Sequence, residues 1–459
     1  MTPQSPTPAR PSRLAGDLPA FLSDKLGFLL HSADQQGDVV SLNLGGPTLL
    51  LRDPEDIRHV LESNAFNYEK TPRLTSRRGR WLSGSGLLTS SMRASVNHRR
   101  VLQPIYASTT ITAFADTIAT ATETRLSRWP TAGTLDMAAE MMDLAQHIMG
   151  LLLCGVDFSS PEGATLGRAV GTRRRFLHNV FDSLLPLAEF LPTPERFAYA
   201  LAERRLHRGL AMAINQRRSA PEEFQDVLAL LMQARTAEGH TLGDKELVDE
   251  ALTFALPGYE TIGEALTWTL HLLSINPVVA NAVHWELDTV AAGQDPGMAD
   301  IRHLDLLQRV IAESLRLYPP TWIYIRMVTQ NDRLPGGTEV QSGTKLYLCP
   351  WVSHRNPRWF ANPEQFDPER FTAEAIQSRP RYAYFPFGGG QRVCIGRALA
   401  QMELPMILAR ILRRYKLEPL HNQTVQPSPH ITLTPRGGLK VGIQVRSLSK
   451  DADKDAGVE

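Results

Sequence analysis

The sequence is poor in cysteine and in net charge. Its 459 residues include only three cysteines, and 49 basic residues balance 48 acidic ones to leave a formal net charge of +1. This balance gives no overall attraction to nucleic acid or to an anionic membrane. Cys154, Cys349 and Cys394 stand far apart and form no CxxC pair, which excludes a four-cysteine zinc or iron–sulfur site. An odd, unpaired cysteine count favours a reducing compartment, so we expect a cytoplasmic protein.

Targeting and anchoring segments are also missing. Residues 1–15 are rich in proline and lack the apolar core of a signal peptide. The apolar stretch at residues 148–156 is far shorter than the roughly 20 residues that span a bilayer. Residues 447–459 are small and charged. We therefore predict disordered segments at 1–15 and 447–459, and no membrane contact.

Helical periodicity dominates what is there. The pattern is helical from about residue 113 to 217, with interruptions at 159–161 and 191–194. The longest predicted helix covers residues 245–275 and would extend for roughly 45 Å. Its apolar residues lie on several faces, which predicts burial on all sides, and Pro257-Gly258 predicts a kink.

Strand signals are short and lie near the two ends. Residues 38–51 predict a hairpin, residues 340–348 a strand, and Gly437-Gly438 a terminal hairpin turn. No repeat or linker divides the interior. We predict a mainly α protein with minor β structure, folded as a single domain over residues 16–446.

The most specific motif is the glycine-rich loop from Phe387 to Gly396. Arg392 precedes Cys394 by two residues, and a helix is predicted from near Gly396 towards Tyr415. A cation and a helix N-terminus both favour a thiolate, and glycines let a backbone approach a flat ligand closely. A haem iron held by such a thiolate would gain electron density that promotes O–O cleavage. The alternative for a lone cysteine is an ordinary buried residue in a tight turn.

This loop resembles the cysteine signature of the cytochrome P-450 superfamily. The matching residues are Phe387, Gly390, Arg392, Cys394 and Gly396, followed by Leu399, Ala400 and Glu403. The resemblance implies haem b with Cys394 as the axial iron ligand and Phe387 and Gly396 at the cofactor. It also implies the fold of that family, with a long kinked central helix over the haem, and a soluble, bacterial-type monooxygenase that uses O2.

A second motif, Glu313-Ser-Leu-Arg316, places an acid and a base on one helix face. With Arg370 in Phe366-Asp-Pro-Glu-Arg-Phe371, it resembles the ExxR helix of the family and its partner arginine. The implied role is structural, because a buried ion pair needs a further partner to offset desolvation.

A third motif, Pro257-Gly-Tyr-Glu-Thr261, lies at the predicted kink. In the family, the acid and alcohol at Glu260 and Thr261 imply proton delivery to dioxygen. Pro257 and Ile262 depart from the family pattern. The alternative is a threonine bonded back to a helix carbonyl and a glutamate that faces solvent.

The resemblance also implies that Arg99, Arg326 and Arg392 bind the haem propionates, since guanidinium groups pair well with carboxylates. Ser95 departs from the family pattern, because a tryptophan or histidine is common there. Solvated surface arginines are the alternative for each.

Substrate and partners follow less directly. We expect the substrate to be an apolar small molecule, such as a terpenoid or a fatty acid. Five residues are candidate walls of its pocket, and core packing is the alternative for each. These are Phe254, Tyr259, Trp322, Ile323 and Tyr324.

The resemblance implies a monomer that takes electrons from a ferredoxin or flavodoxin-type donor with its reductase, so that NAD(P)H acts only indirectly. A basic face on the last helix could dock that donor, and an ordinary solvated face is the alternative. Its residues would be Arg397, Arg410, Arg413, Arg414 and Lys416. The rival functions are a haem-thiolate isomerase or peroxygenase and a non-enzymatic haem-based sensor.

Overall fold

The computed structural model describes residues 16–446, apart from 78, 80–83, 159, 162, 183–191, 237–238, 292–294 and 421–422. The segments predicted at 1–15 and 447–459 lie outside the described residues, as does part of each predicted interruption of the helical region. Helices dominate, and short strands form small sheets, as predicted. The described α-helices are α1 (Leu18–Ser23), α2 (Lys25–Gln36), α3 (Pro54–Arg58), α4 (Pro72–Thr75), α5 (Met92–Leu102), α6 (Ser108–Ala113), α7 (Ala115–Leu126), α8 (Met137–Cys154), α9 (Ala164–Asp182), α10 (Pro194–Ser219), α11 (Val227–Gln233), α12 (Asp244–Ile275), α13 (Pro277–Val290), α14 (Met298–Ile301), α15 (Asp305–Leu317), α16 (Pro350–Ser353), α17 (Ala373–Gln377) and α18 (Arg397–Arg414).

The described strands form four small sheets. They are β1 (Val39–Asn43), β2 (Pro47–Leu51), β3 (Tyr68–Glu69), β4 (Ala132–Asp136), β5 (Tyr324–Val328), β6 (Asp332–Arg333), β7 (Glu339–Val340), β8 (Lys345–Leu348), β9 (Tyr415–Pro419), β10 (Pro427–Pro429), β11 (Leu433–Pro435) and β12 (Lys440–Val445). One sheet has the order β1-β2-β8-β5-β3, and β12 lies between β4 and β9 in another. The antiparallel β1–β2 pair confirms the hairpin predicted within residues 38–51.

Two strand predictions are wrong in detail. The strand expected at residues 340–348 is split into β7 and β8 by a turn in which Gly343 has a φ of +86°. The turn at Gly437-Gly438 is present, but it does not close a hairpin. β11 pairs with β10, whereas β12 pairs with β4 and β9 because Val441 and Ile443 are then buried in the main core.

The predicted central helix is confirmed as α12, which begins one residue earlier than expected. The Glu246 carboxylate accepts a hydrogen bond from the Gly243 N–H at 2.9 Å and so caps its N-terminus. The helix continues through Pro257, which has no N–H to offer the carbonyl of Thr253. Side chains on several faces, including Leu266 and Trp268, are fully buried. The helix therefore runs through the core. Among the described residues, no helix has the length and apolar character needed to cross a bilayer.

Candidate active site

The glycines of the cysteine loop pack against protein. Gly390 has a φ of +58°, and a Cβ there would lie 1.8 Å from the carbonyl oxygen of Leu61. A Cβ on Gly389 would lie 2.4 Å from the Tyr382 hydroxyl. These two glycines let the loop press against the π-helix His59–Ser63 and an aromatic ring. They do not line the cavity, whereas Gly396 of the same loop does.

Cys394 opens into an internal cavity beside the start of α18. Burial raises the pKa of its thiol, while a hydrogen bond from the Gly396 N–H and the charges of Arg99 and Arg397 oppose that shift. Arg392, the cation expected from the sequence to act on the thiol, is not among the charges that shift its pKa, and its guanidinium donates to Glu69. The missing stabilisation would be supplied by a bound metal ion, which deprotonates a coordinating thiol.

The cavity above Cys394 has a volume of about 590 Å³. Its walls are mainly apolar, and they include Leu87, Met149, Val227, Phe254, Ile262, Ile323 and Tyr324. Tyr259 and Trp322, predicted as walls, do not line it. Tyr259 is buried in the main core, and the Trp322 Nε1–H donates to the carbonyl of His430 at 2.9 Å. Core packing, the alternative weighed for these aromatics, therefore holds for two of the five.

One end of the cavity is strongly cationic. The three predicted arginines all line it, and so does Lys70, which the sequence reasoning missed. Arg392 donates to Glu69 at 3.2 Å and to the carbonyl of Ser90 at 3.1 Å. Burial lowers the pKa of Arg326 to about 10, and it lowers the pKa of Lys70 well below its usual value, with the neighbouring arginines adding to both shifts.

This excess of positive charge favours an anionic ligand, because buried cations are costly unless they are paired. The hydroxyl of Ser95 donates to the Met92 carbonyl at 2.7 Å within α5. Its hydrogen is therefore already used, and Ser95 adds no free donor to this end. No pattern around Lys70 marks it as a cavity residue, since it lies just beyond the two-residue strand β3.

Glu260 and Thr261 point in different directions. Thr261 lines the cavity and donates to the Pro257 carbonyl at 2.9 Å. Glu260 lies outside the cavity lining and is only 2% exposed. Its carboxylate accepts hydrogen bonds from His178 Nε2 on α9 and from Thr432 Oγ1, both at 2.6 Å. Burial alone would raise the pKa of Glu260, but these two bonds and the charge of His178 hold it below its usual value.

Glu313, Arg316 and Arg370 are brought together as the sequence predicts. The Arg316 guanidinium binds the Glu313 carboxylate through two bonds of 2.6 and 2.8 Å, and Arg370 Nε lies 3.5 Å from it. Arg316 Nη1 also donates to the carbonyls of His354 and Pro363. The cluster thereby fixes α15 to the segment that leads to the cysteine loop.

The cytochrome P450 family profile matches residues 6–442. The chain belongs to the cytochrome P450 family. Membership carries a haem-thiolate cofactor, the use of dioxygen and the activity class of a monooxygenase.

Several bacterial relatives match this P450 over most of its length. It is 32% identical to cyclooctatin synthase of Streptomyces melanosporofaciens, with 92% of each chain covered. It is 33% identical to cyclooctat-9-en-7-ol 5-monooxygenase of the same organism, with 90% and 89% covered. Pentalenene oxygenase of Streptomyces avermitilis is 28% identical, with 91% and 92% covered. The crystal structure of the cytochrome P450DA heme domain has a TM-score of 0.84 at 22% identity, with 96% and 98% covered, and bears on the fold alone.

The residues of this P450 fit haem. A thiol opens into the cavity, apolar walls border it, and the cationic end has Glu69 as its near carboxylate. A flat apolar macrocycle with an iron atom and two propionates matches those three features. Cys394 would hold the iron, and Arg99, Arg326, Arg392 and Lys70 would hold the propionates.

The basic docking face predicted on the last helix is largely wrong. Arg410 and Arg413 are each only 7% exposed and lie 3.6 Å from Glu123 and Asp295. Arg414 also pairs with Glu123, at 2.5 Å. Arg410 and Arg413 face inward because most of α18 is buried, whereas Arg414 is partly exposed. Of the predicted residues, Arg397 and Lys416 are exposed, and Lys416 pairs with Glu418.

Proposed function

We propose that this P450 hydroxylates an apolar terpenoid. The observation that carries the proposal is the largely apolar cavity above Cys394, whose aliphatic and aromatic walls give few polar contacts for a charged substrate. The names of three bacterial relatives support the same substrate class: cyclooctatin synthase, cyclooctat-9-en-7-ol 5-monooxygenase and pentalenene oxygenase. A terpenoid skeleton is bulky and apolar, as those walls require.

The reaction consumes substrate, O2, two electrons and two protons, and it yields the alcohol and water. Haem bound through Cys394 supplies the oxygen activation. The chain supplies the remaining functions. The apolar walls orient the substrate and exclude water, the cationic end binds the cofactor carboxylates, and Thr261 holds a water molecule through its hydroxyl.

Glu260 would deliver one proton through Thr261. In the structure its carboxylate is bound by His178 and Thr432, so it must break those bonds and rotate before it reaches the cavity. His178 would then be the group that reloads Glu260 from the solvent side, since it is only partly buried. Proton delivery would depend on movement of α9 relative to α12.

The electrons would come from a ferredoxin or flavodoxin-type protein with its reductase. NAD(P)H would act only through these two redox proteins. All three cysteines are free thiols, which supports the reducing cytoplasm as the site of action. We also expect a monomer, to be checked by size-exclusion chromatography with light scattering.

A binding screen tests the substrate class. The purified holoprotein would be titrated with cyclic diterpene hydrocarbons and alcohols, with linear fatty acids, and with charged compounds of similar size. We expect a shift of the Soret band with the cyclic terpenoids at micromolar concentration. A shift produced only by highly charged compounds would contradict the proposal.

Turnover tests the reaction type. Product formation should require the reduced carrier protein together with O2 and should yield a mono-hydroxylated terpenoid. Equal rates with hydrogen peroxide alone would instead identify a peroxygenase.

A further inference from the structure

Glu250 brings a carboxylate to the wall of a mainly apolar cavity. It belongs to the stripe of α12 that lines the cavity at helical spacing, together with Thr253, Phe254, Pro257 and Thr261. The side chain of Glu250 is only 3% exposed. A buried carboxylate is costly unless it is paired and hydrogen-bonded, so its partners have to be identified.

Two protein groups bind the Glu250 carboxylate. His98 Nδ1 on α5 pairs with Oε1, and the Leu87 N–H donates to Oε2 at 3.3 Å. A carboxylate can accept about four hydrogen bonds. Because only two are made, and the second of them is long, Glu250 retains the capacity to accept a hydrogen bond from a molecule in the cavity.

Tyr106 brings a donor to the same part of the cavity. Its ring packs against that of Phe254, with 5.9 Å between the ring centroids, and Phe254 follows Glu250 by about one turn of α12. No described residue forms a hydrogen bond with the Tyr106 hydroxyl. Burial raises the pKa of Tyr106, and the charges of Cys394 and Glu250 add to that shift, so the hydroxyl keeps its proton.

Two further hydroxyl groups lie on this wall, but neither is free to bind a ligand. The Ser95 hydroxyl donates to the Met92 carbonyl. The Thr253 hydroxyl is enclosed by Gly86, where a Cβ would lie 2.2 Å from it. The described part of this wall therefore offers a ligand one carboxylate acceptor and one phenol donor.

We propose that Glu250 and Tyr106 bind a hydroxyl group of the substrate, which is therefore a terpenoid alcohol. A hydroxyl group donates to Glu250 and accepts from Tyr106 at the same time. An ammonium group has no acceptor for Tyr106, and a ketone has no donor for Glu250. This inference rests on the proposed function and narrows its substrate class from terpenoids in general to those that already carry an alcohol.

The position of this hydroxyl site also bears on where the substrate is oxidised. Glu250 and Thr261 are eleven residues apart on α12, which corresponds to roughly 16 Å along the helix axis. The substrate hydroxyl is therefore held well away from Thr261. The oxidised carbon lies at a remote position of the skeleton, and the product carries one hydroxyl group more than the substrate.

Binding titrations of the holoprotein test the hydroxyl site without turnover. Each titration follows the substrate-induced shift of the Soret band, once with a cyclic diterpene alcohol and once with the hydrocarbon of the same skeleton. In the wild type the alcohol should bind about tenfold more tightly or better, because hydrogen bonds to a charged group are strong. In Glu250→Met this preference should disappear, while the affinity for the hydrocarbon stays the same.

Tyr106→Phe tests the donor with almost no change of shape, and it keeps the inference testable if Glu250→Met does not fold. The preference for the alcohol should fall several-fold in this variant. Glu264→Gln is the matched control, because Glu264 is a buried acid of α12 that does not line the cavity. It should retain the wild-type preference. Equal binding of alcohol and hydrocarbon by the wild type, or a preference that survives in Glu250→Met and Tyr106→Phe, would overturn the inference.

Simple ligands separate a failure of this inference from a failure of the proposed function. Cyclododecanol and cyclododecane differ by a single hydroxyl group, and neither is a terpenoid. If this pair shows the preference for the alcohol, and both variants lose it, the hydroxyl site stands even when no terpenoid shifts the Soret band. If terpenoid hydrocarbons bind as tightly as their alcohols, the proposed function stands and the hydroxyl site is refuted.

Discussion

Two buried glutamates, Glu313 and Glu260, anchor different segments of the chain in different ways. Glu313 is bound by two arginines and by the Asp367 N–H. Glu260 is bound by a histidine and a threonine hydroxyl. The Arg316 guanidinium binds Glu313 through two hydrogen bonds in a bidentate pair, whereas His178 and Thr432 each give Glu260 a single one. The cluster around Glu313 is therefore permanent, and the one around Glu260 can be released.

The positions of the two clusters match this difference. The Glu313 cluster fixes α15 to the chain that leads into the cysteine loop, where the position of Cys394 must not change. The Glu260 cluster joins α9 to α12 next to Thr261, where the proposed reaction would deliver a proton. A strong network thus supports the invariant part of the site, and a weaker one lies where the proposed reaction needs movement.

The largest effect should come from Cys394, which lies in the loop that the Glu313 cluster helps to hold in place. Cys394→Ala removes the proposed iron ligand, so the red-shifted Soret band of the reduced carbon monoxide complex should vanish. Cys349→Ala is the control, since Cys349 is buried against the Trp322 carbonyl and does not line the cavity. A normal band in the Cys394 variant would refute the assignment of the ligand.

Loss of the Glu313 charge should come next. Glu313→Gln leaves Arg316 without its buried counter-ion, which should lower the free energy of unfolding by about 3–5 kcal/mol. Denaturant titration followed by the Soret band and by circular dichroism would measure the change. Glu55→Gln is the matched control, because Glu55 and Arg58 are also three residues apart but their side chains are 58% and 44% exposed. That change should cost less than about 1 kcal/mol. An equal loss of unfolding free energy in both variants would show that burial of the Glu313–Arg316 pair makes no difference to stability.

A smaller effect is expected at the releasable cluster. His178→Gln weakens the hold on Glu260 and should lower the free energy of unfolding by about 1–2 kcal/mol at neutral pH. The pKa of Glu260 is lower in the folded protein than its ordinary value of 4.5. The contribution of Glu260 to the free energy of unfolding is therefore present above pH 4.5 and is lost as the pH falls through the folded pKa. Stability curves of wild type and variant should therefore converge on the acid side. Parallel curves down to low pH would show that Glu260 is not stabilised by His178.

The smallest effect should come from a second histidine–carboxylate pair, His98 with Glu250. The hydrogen bond to Glu250 raises the pKa of His98 above 6.5. The contribution of His98 to the free energy of unfolding is therefore complete below pH 6.5 and is lost as the pH rises through its raised pKa. His98→Gln should cost about 1 kcal/mol on the acid side and nothing at alkaline pH. Thermal unfolding followed across neutral pH would measure this, and a loss that grows with pH would contradict the assignment.

The permanent side could be predicted from the sequence because its residues are close along the chain. Glu313 and Arg316 are three residues apart, and the cysteine loop is one continuous motif. The releasable side could not be predicted in this way. His178 and Thr432 lie 82 and 172 residues from Glu260, and no spacing rule connects them. Lys70 was missed for the same reason, since the fold alone brings it to the arginines.

Side-chain direction was the other limit. Adjacent helix residues emerge about 100° apart, so Thr261 can line the cavity while Glu260 turns towards α9. Tyr259 was expected in the pocket on the same helix, but it lies in the core. Helical periodicity identified α12 correctly and left open which of its faces would meet the cavity.

The cysteine loop rests on the first part of the chain. The Leu61 carbonyl fills the space left by Gly390, the Tyr382 hydroxyl donates to Glu62 at 2.7 Å, and Arg392 reaches back to Glu69. Chimeras that exchange the first 70 residues between related enzymes would thus alter the packing around the cysteine loop as well as the N-terminal sheet. Donor segments for such recombination should carry carboxylates at both acidic positions and a backbone that follows the same π-helical turn.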